Sequence, residues 1–385
     1  NMMHANPRIF GLDAMRATAI SMVVIGHLAW LFPGLPATVS MILSLLAFFG
    51  VEVFFVLSGF LIGRILISEF TREEFGWPRM RNFIRRRWLR TLPAYFLVLL
   101  LNIALAFWAS QDLPGLWRYF FFVQNLAWPM PLFFPESWSL SVEEIAYVLL
   151  PFALLLFAGA APKRLNRFAA IVWMLILISM IAKLMYHFSG PSTSMQQWNL
   201  ALKAVAVFRL DAILIGVMAA WLSVEYGNLW RRLRYGFAAI GLAGVAFFTA
   251  GVGALGLFIE KVPLFWDVIY LPGLSLVFAL FLPLAHSMRV RPRFLGWVST
   301  LAAMSYAMYL LHYSLILQLF NHWLPQNAGV KLRMATAFFY LSTVVVASWV
   351  FYRFFEKPIL TWRDKSSKNV NLESFLPIAP TDKSA

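Results

Sequence analysis

The sequence predicts an all-α bundle of transmembrane helices that crosses the bilayer about ten times and has both termini in the cytoplasm. Of the 385 residues, 61% are hydrophobic and only 13% are charged, whereas a soluble protein carries about 25% charged residues. The apolar residues form about ten long runs, and each is near the roughly 20 residues that one crossing requires. Basic residues gather in alternate connections between these runs, which is the pattern that orients membrane proteins.

The apolar runs give approximate limits for each span. The ten predicted spans are 14–32, 44–67, 91–109, 141–159, 168–187, 201–222, 236–256, 267–287, 301–320 and 334–354. The first run lacks a small-residue cleavage site, so we interpret it as a retained helix rather than a signal peptide. We expect one membrane domain over residues 1–363 and a polar, disordered tail over residues 364–385.

The connections between spans differ sharply in charge. One alternate set contains Arg72, Arg79, Arg81, Arg85, Arg86, Arg87, Arg90, Lys163, Arg164, Arg167, Arg231, Arg232, Arg234, Arg289, Arg291 and Arg293. The other set contains only Arg118, Lys261, Lys331 and Arg333. Positive loops stay in the cytoplasm, so the first set faces inward, and the net charge of +15 reflects topology rather than nucleic-acid binding. The aromatic segment 110–140 then lies outside, where it can fold back over the protein as a lid.

Several classes of chemistry are excluded by missing residues. The chain has no cysteine, so disulfides, thiolate zinc sites and thiol nucleophiles are ruled out. Its six histidines are scattered and form no HExxH motif, so no metal site is predicted, and ATP-driven pumping is disfavoured because no phosphate-binding loop is present. The small residues Gly241–Gly244 serve helix packing or a dimer equally well, so the oligomeric state stays open.

The first span carries two ionisable residues at helical spacing. Arg16 and His27 are eleven residues apart, so they share a helix face and are separated along the axis by roughly 16 Å. This places Arg16 near the cytoplasmic surface and His27 in the outer half, where an imidazole suits proton transfer. The alternatives are a histidine that only packs helices and an arginine that extends to the membrane surface.

Other spans also contain polar residues, although each ionisable group costs about 2.5–3.5 kcal/mol to insert. The carboxylates and the cation of the second, fourth and sixth spans are Glu52, Glu143, Glu144, Arg209 and Asp211. A polar stripe on the ninth span consists of Ser305, Tyr309 and His312. Carboxylates at the depth of a histidine can serve as acid and base. Alternatively, the charges form buried ion pairs that fix helix order, with Arg209 bound to Asp211 or to a glutamate.

The segment RMRNFIRRRWLR, residues 79–90, contains more arginine than topology requires. We interpret it as a basic loop. Arginine binds phosphate through two parallel hydrogen bonds, so a phosphorylated cytosolic ligand such as coenzyme A would fit this loop. Anionic lipid headgroups are the alternative ligand.

Seven segments, in this order, resemble the acyltransferase family 3 of membrane-bound acyltransferases. They are RIFGLDAMRATAISMVVIGH, GVEVFFVLSGFLIG, RRRWLRTLPAY, PESWSLSVEEIAY, FRLDAILIG, SYAMYLLH and YRFFEKP. Each is weak alone, but together they cover roughly residues 8–360. Carried over by position, the resemblance implies catalytic roles for Arg16, His27 and Glu143, an acid at Glu52, and a basic motif at Arg86 and Arg90.

The resemblance implies transfer of an acyl group, usually acetyl, from cytosolic acyl-coenzyme A to a hydroxyl of an extracytoplasmic glycan or glycolipid. Lipopolysaccharide O-antigen is one such acceptor, and a bacterial inner membrane is the expected location. The sequence stops after its last span, so it resembles the stand-alone members without an esterase-like SGNH domain. The rival hypotheses are a glycolipid transporter or flippase, which would move its substrate without cleaving a thioester, and a lipid-binding scaffold.

These expectations combine into one mechanistic hypothesis. The donor phosphates would be held by Arg85, Arg86, Arg87 and Arg90. His27 would act as general base, oriented by Glu143, or would itself carry the acyl group. Candidates for contact with the acceptor or for stabilising the oxyanion are Arg209, Asp211, Tyr309, His312, Ser305 and Trp138.

Overall fold

A computed structural model of the protein describes residues 9–110, 112–113, 115–159, 163–289 and 295–373, with side chains described as far as residue 365. Helices dominate these ranges, and no strand occurs in them. Nine helices of the described chain are long and apolar enough to cross a membrane, and a bent pair of helices supplies a tenth crossing. The prediction of an all-α membrane bundle with about ten spans is confirmed.

The spans are labelled α1 to α10 in chain order. They are α1 Phe10–Leu31, α2 Ala37–Phe70, α3 Trp77–Trp108, α4 Ser137–Leu156, α5 Arg164–Ser189, α6 Ala206–Glu225, α7 Arg234–Ala254, α8 Phe265–Ser287, α9 Gly296–Ala303 with Ser305–Trp323, and α10 Val330–Lys365. The two parts of α9 meet at an angle of 51°. The backbone of α10 stays helical to Glu373, so the helix extends into the segment 364–385 that was expected to be a polar, disordered tail. Residues 374–385 lie outside the described chain.

The segment 79–90 is helical, so its interpretation as a loop is wrong. It forms the first turns of α3, which begins at Trp77 with Pro78 in its first turn. Proline is tolerated there because the first amide groups of a helix have no partner within the helix. Arginine is a good helix former, and no glycine interrupts the segment. The helical spacing now decides which arginines share a face.

α2 and α6 pack backbone against backbone at the centre of the bundle. A Cβ atom on Gly59 would lie 1.9 Å from the carbonyl oxygen of Ile213, and one on Gly216 would lie 2.1 Å from that of Val56. Only glycine permits this approach, as in many pairs of membrane helices with small residues at their contact. The close packing fixes α2 against α6 and brings their charged residues together.

The two ends of the bundle differ in charge. Basic residues lie in, or directly after, the connections that follow α2, α4, α6 and α8. An even number of crossings puts the start of α1 and the end of α10 at this same end. We call it the basic end, and its described arginines include Arg72, Arg79, Arg164, Arg231, Arg232, Arg234 and Arg289. Two further residues assigned to it, Arg291 and Arg293, lie outside the described residues. The other end, which includes segment 109–136, is called the opposite end.

Candidate active site

A cavity of about 700 Å³ opens at the opposite end of the bundle. Its wall includes His27, His312, Glu136 and Lys203. Aromatic rings supply much of the remaining wall, among them Trp30, Phe48, Trp138, Trp198, Trp266 and Tyr270. Sites for small organic molecules typically combine such apolar walls with a few polar groups that converge on the ligand. We call this space the outer cavity.

Two histidines meet in its wall. The regular part of α1 ends at Gly26, and His27 begins a 3₁₀ turn. His27 Nδ1 lies 2.8 Å from the carbonyl oxygen of Val23 and 3.2 Å from His312 Nε2. His312 Nδ1 lies 2.7 Å from the carbonyl oxygen of Tyr309. The two imidazole rings therefore form one hydrogen-bonded unit between α1 and α9.

The hydrogen-bond partners of the two imidazole rings indicate which ring nitrogen atoms carry hydrogen. A carbonyl oxygen can only accept, so Nδ1 of each histidine carries hydrogen in the neutral rings. His312 Nε2 then has a lone pair, and the single hydrogen of His27 Nδ1 is shared between this lone pair and the carbonyl oxygen of Val23. The second nitrogen of His27, Nε2, also keeps its lone pair and can take a proton from a hydroxyl group in the outer cavity. This is the arrangement of a general base with an orienting partner.

A cavity of about 660 Å³ opens at the basic end. We call it the inner cavity. Its cationic lining residues are Arg16, Arg64, Arg87, Arg90, Arg289, Lys357 and Arg363. Such a concentration of guanidinium groups is suited to phosphate.

Only two of the four predicted phosphate ligands line the inner cavity. Arg87 and Arg90 do so, and their separation of three residues puts them on one face of α3. Arg85 and Arg86 are exposed and point elsewhere, and Arg86 lies 3.4 Å from Asp364. Helix periodicity explains why the four arginines lie on different faces of α3. The interpretation of this segment as a loop gave no basis for separating them.

A small space of about 80 Å³, called the narrow space, lies between the two cavities. It shares Arg16, Arg87 and Arg90 with the inner cavity. It shares Val51 and Tyr309 with the outer cavity. The three spaces therefore follow one another from the basic end to the histidine pair, over the distance that separates Arg16 from His27 on α1.

Glu143 lines this narrow space but has partners other than His27. Its carboxylate accepts a hydrogen bond from Tyr147 at 2.7 Å and lies 3.7 Å from Arg87. Tyr147 also contacts Ser58 and Arg87. The predicted contact in which Glu143 orients His27 is thus wrong within the described chain, because His312 takes that place. A catalytic role for Glu143 in the narrow space stays a prediction.

Glu52 and Arg209 form a fully buried ion pair between α2 and α6. Ser275 of α8 donates a second hydrogen bond to Glu52, at 3.1 Å. Asp211 is bound at 2.5 Å by Lys183 of α5. Of the alternatives for Arg209, the structure contains the pair with a glutamate. These contacts connect four helices, as the structural interpretation of the charges expects, and a catalytic role for Glu52 stays a prediction.

The remaining predicted residues lie along the narrow space or the outer cavity. Ser305 lines the narrow space and donates to the carbonyl oxygen of Ala302 at 2.9 Å. Trp138 lines the outer cavity. The hydroxyl of Tyr309 lies 2.6 Å from that of Ser139 and 3.1 Å from the carbonyl oxygen of Glu136. Tyr309 therefore stands at the junction of the two spaces.

Sequence reasoning missed Glu136 and Lys203. Glu136 Oε1 accepts hydrogen bonds from the amide and hydroxyl of Ser314, at 3.0 and 2.5 Å, while Oε2 is buried without a partner. Burial raises the pKa of Glu136 to about 7. Both residues lie near the ends of predicted spans, where charged side chains are common. Apart from the PESWSLS motif that includes Glu136, the sequence therefore did not indicate that these residues belong to a site.

The family model described as "Acyltransferase domain", that of acyltransferase family 3, matches residues 9–353. The matched range contains the histidine pair, the narrow space and most of the lining of both cavities. The chain belongs to acyltransferase family 3. Family membership confirms the resemblance that the seven sequence segments predicted.

Curated relatives of this family 3 protein include two from Staphylococcus aureus. "O-acetyltransferase OatA" of strain NCTC 8325 / PS 47 is 25% identical over 384 residues, which cover 91% of this chain and 57% of the relative. "Putative O-acetyltransferase SACOL0978" of strain COL is 25% identical over 402 residues, which cover 92% of this chain and 58% of the relative. The chain thus spans just over half the length of these relatives, and its interpretation as a stand-alone member stays a prediction. No solved structure matches it.

Proposed function

We propose that this protein transfers an acetyl group from cytosolic acetyl-coenzyme A to a hydroxyl of an extracytoplasmic glycan or glycolipid, such as lipopolysaccharide O-antigen. The observation that carries the proposal is the line of cavities from the arginine-rich end to the histidine pair. The positive-inside rule assigns the basic end to the cytoplasm, and we place the protein in a bacterial inner membrane. The relatives, which are named O-acetyltransferases, support the reaction class.

The inner cavity is proposed as the donor site. Acetyl-coenzyme A carries phosphate groups on its nucleotide and a thioester at the end of a long, flexible arm. Arg87 and Arg90 would bind phosphate together with Arg64 and Arg289, which line the same cavity. The arm would then extend past Arg16 into the narrow space, whose volume of about 80 Å³ suits the thin end of this arm better than a sugar ring.

The outer cavity is proposed as the acceptor site and the place of reaction. His27 Nε2 removes the proton of the acceptor hydroxyl while the hydroxyl oxygen attacks the carbonyl carbon of the thioester. General-base catalysis of this kind typically contributes about 10²–10⁴-fold to the rate. The carbon–sulfur bond then breaks, and the proton on His27 passes to the departing thiolate. His312 stabilises the charged imidazole by accepting from its Nδ1. An acetyl group carried on His27 would use the same nitrogen.

Tyr309 is the proposed donor to the oxyanion. It stands where the narrow space meets the outer cavity. Its phenol donates to the carbonyl oxygen of Glu136 in this structure, so the proposed role requires the hydroxyl to turn from that oxygen to the one that gains negative charge. Arg209 is less suited to this role than the sequence suggested, because its charge is matched by Glu52.

The test uses purified protein in lipid vesicles with acetyl-coenzyme A labelled in its acetyl group and a glycan acceptor from cell envelopes. Wild type is expected to move label to the acceptor, and His27→Ala to lose at least a hundredfold of that rate. His322→Ala is the matched control, since His322 is an exposed histidine at the same end of the bundle. Label that stays on coenzyme A with every acceptor would refute the proposal. Passage of glycolipid across the vesicle without thioester cleavage would favour a transporter or flippase.

A further inference from the structure

Lys203 is a cation in the wall of the outer cavity. It lies at the end of the short helical turn Asn199–Lys203 that precedes α6. Its ammonium is 4.7 Å from the ring centre of Phe48 and 5.9 Å from that of Trp138. The hydrogen bond in which it donates to Asn199 Oδ1, at 3.1 Å, is to a neutral group. The charge is therefore surrounded by aromatic rings and one amide.

Two fully buried cations of the described chain are each paired with a carboxylate. Lys183 is bound by Asp211, and Arg209 is bound by Glu52. Lys203 is half-buried in the cavity wall, and among the described residues no carboxylate lies within 4.0 Å of its ammonium. A partly desolvated cation that faces a ligand cavity without a bound counter-charge can pair with an anionic group of the ligand.

The acidic residue of the same cavity does not form an ion pair with Lys203. Ser314 of α9 donates two hydrogen bonds to the Glu136 carboxyl group, and no salt bridge joins Glu136 to Lys203 within the described ranges. The two histidine rings of the wall are neutral in the proton assignment given above. The outer cavity thus presents a cation without a directly bound protein anion, in the same wall as His27.

We infer that the acceptor carries an anionic group next to the hydroxyl that receives the acetyl group, and that Lys203 binds this anion. The inference rests on the proposed function and names the acceptor class, an acidic sugar or a phosphorylated glycolipid. The aromatic walls would hold the sugar ring through its apolar face. The bound anion would also neutralise Lys203, which removes a repulsive charge near His27 as that imidazole takes up a proton.

The experiment compares three methyl glycosides of one sugar: a neutral glucoside, the corresponding glucuronide and the glucoside 6-phosphate. Binding is measured by quenching of tryptophan fluorescence, since several tryptophans line the outer cavity. The protein is placed in vesicles of phosphatidylcholine, which has no net negative charge. Acetyl transfer from labelled acetyl-coenzyme A to the same glycosides is measured in parallel. Lys203→Met is compared with Lys331→Met, a change at an exposed lysine of the same end.

Wild type is expected to bind an anionic glycoside at least tenfold more tightly than the neutral one. Lys203→Met should reduce this preference to less than threefold, and Lys331→Met should retain it. Preference for the glucuronide identifies an acidic sugar, and preference for the phosphate identifies a phosphorylated glycolipid. Equal binding of all three glycosides by wild type, or an unchanged preference in Lys203→Met, would overturn the inference.

The two proposals fail separately in this experiment. Binding is measured without acetyl-coenzyme A, so an anion preference without label transfer would contradict the acyltransferase proposal and support the role of Lys203. Label transfer without any preference for the anionic glycosides would support the acyltransferase proposal and contradict the role of Lys203.

Discussion

At the scale of single residues, the chemistry depends on which nitrogen atoms of two histidines carry hydrogen. His27 and His312 each have Nδ1 against a backbone carbonyl oxygen. That contact holds both rings in one tautomer and directs a lone pair of His312 at His27. A positive charge that forms on His27 is then shared through a hydrogen bond, and such charged bonds contribute more than neutral ones.

We expect His312→Ala to lower kcat about ten- to hundredfold and to change KM for acetyl-coenzyme A little. The loss in kcat follows because a hydrogen bond to a charged group contributes roughly 1.5–3 kcal/mol. His312→Gln should recover most of the rate, because a carboxamide can accept from His27 and donate to the carbonyl oxygen of Tyr309. Steady-state kinetics of the two variants check this. Equal kcat losses in both, with thermal stability unchanged, would mean that His312 does more than orient its neighbour.

Lys203 makes the choice of acceptor depend on pH. Burial and the nearby charge of Arg209 lower the pKa of Lys203 to about 8. The ammonium is charged below this pKa and neutral above it, so the preference for an anionic glycoside should be full at pH 6.5 and largely lost at pH 9. Titratable or charged groups around Lys203 are Glu52, Arg209, Glu136, His27 and His312.

The ratio of transfer rates to the anionic and neutral glycosides measures this dependence. Ionisation of Glu136, whose pKa of about 7 lies in the same pH range, also disfavours an anionic acceptor. Lys203→Arg keeps its charge to much higher pH and serves as the control for that effect. Its ratio should fall clearly less between pH 6.5 and pH 9 than the wild-type ratio. A wild-type ratio that falls no more than that of Lys203→Arg would contradict the expectation.

At the scale of helices, the buried ion pairs fix the arrangement of α2, α5, α6 and α8. Glu52 and Arg209 face each other about two helical turns from the glycine contact of α2 and α6, and both side chains are completely buried. Removing one partner from such a pair typically costs about 3–5 kcal/mol, whereas replacing both with apolar residues is often tolerated. The pair therefore specifies which helices meet.

Glu52→Gln is expected to destabilise the protein strongly, because it leaves the Arg209 guanidinium buried without a counter-charge. The double variant Glu52→Gln with Arg209→Met should recover much of the loss. Thermal unfolding in detergent, followed by size-exclusion chromatography, measures both. A stable double variant that still transfers acetyl groups indicates a structural pair, and a stable but inactive one would restore the catalytic interpretation of Glu52.

At the scale of the whole molecule, the proposed function places different substrates in the two cavities, at different ends of the bundle. A donor with phosphates and an acceptor with a sugar ring can then meet without either crossing the bilayer entirely. This arrangement requires the basic end to face the cytoplasm. It also requires both termini of the membrane domain to lie on that side.

The absence of cysteine makes this orientation directly testable. Asn228→Cys introduces a thiol between α6 and α7 at the basic end, and Asn327→Cys introduces one between α9 and α10 at the opposite end; both asparagines are exposed. In intact bacterial spheroplasts, a membrane-impermeant maleimide should label only Asn327→Cys. After lysis, it should label both. Labelling of Asn228→Cys before lysis would reverse the proposed orientation.

The sequence by itself determined the number of spans and the common face of Arg16 and His27. These features follow from local rules: a crossing must be apolar and must satisfy its own backbone hydrogen bonds, and helix periodicity fixes which residues share a face. The same rules apply to residues 79–90, but the run of arginines obscured the start of a helix there. The family segments added the functional expectation because they preserve order along the chain.

Only the tertiary structure decided which side chains meet. His27 contacts His312 across 285 positions of sequence, and Glu52 pairs with Arg209 across 157. Each helix offered several polar groups at compatible depth, and the choice among them depends on rotation and close packing, such as the glycine contacts of α2 and α6. For the same reason the sequence predicts a contact of Glu143 with His27, whereas in the structure Glu143 accepts a hydrogen bond from Tyr147. Helices in lipid form independently of one another, but a site between them exists only after they pack.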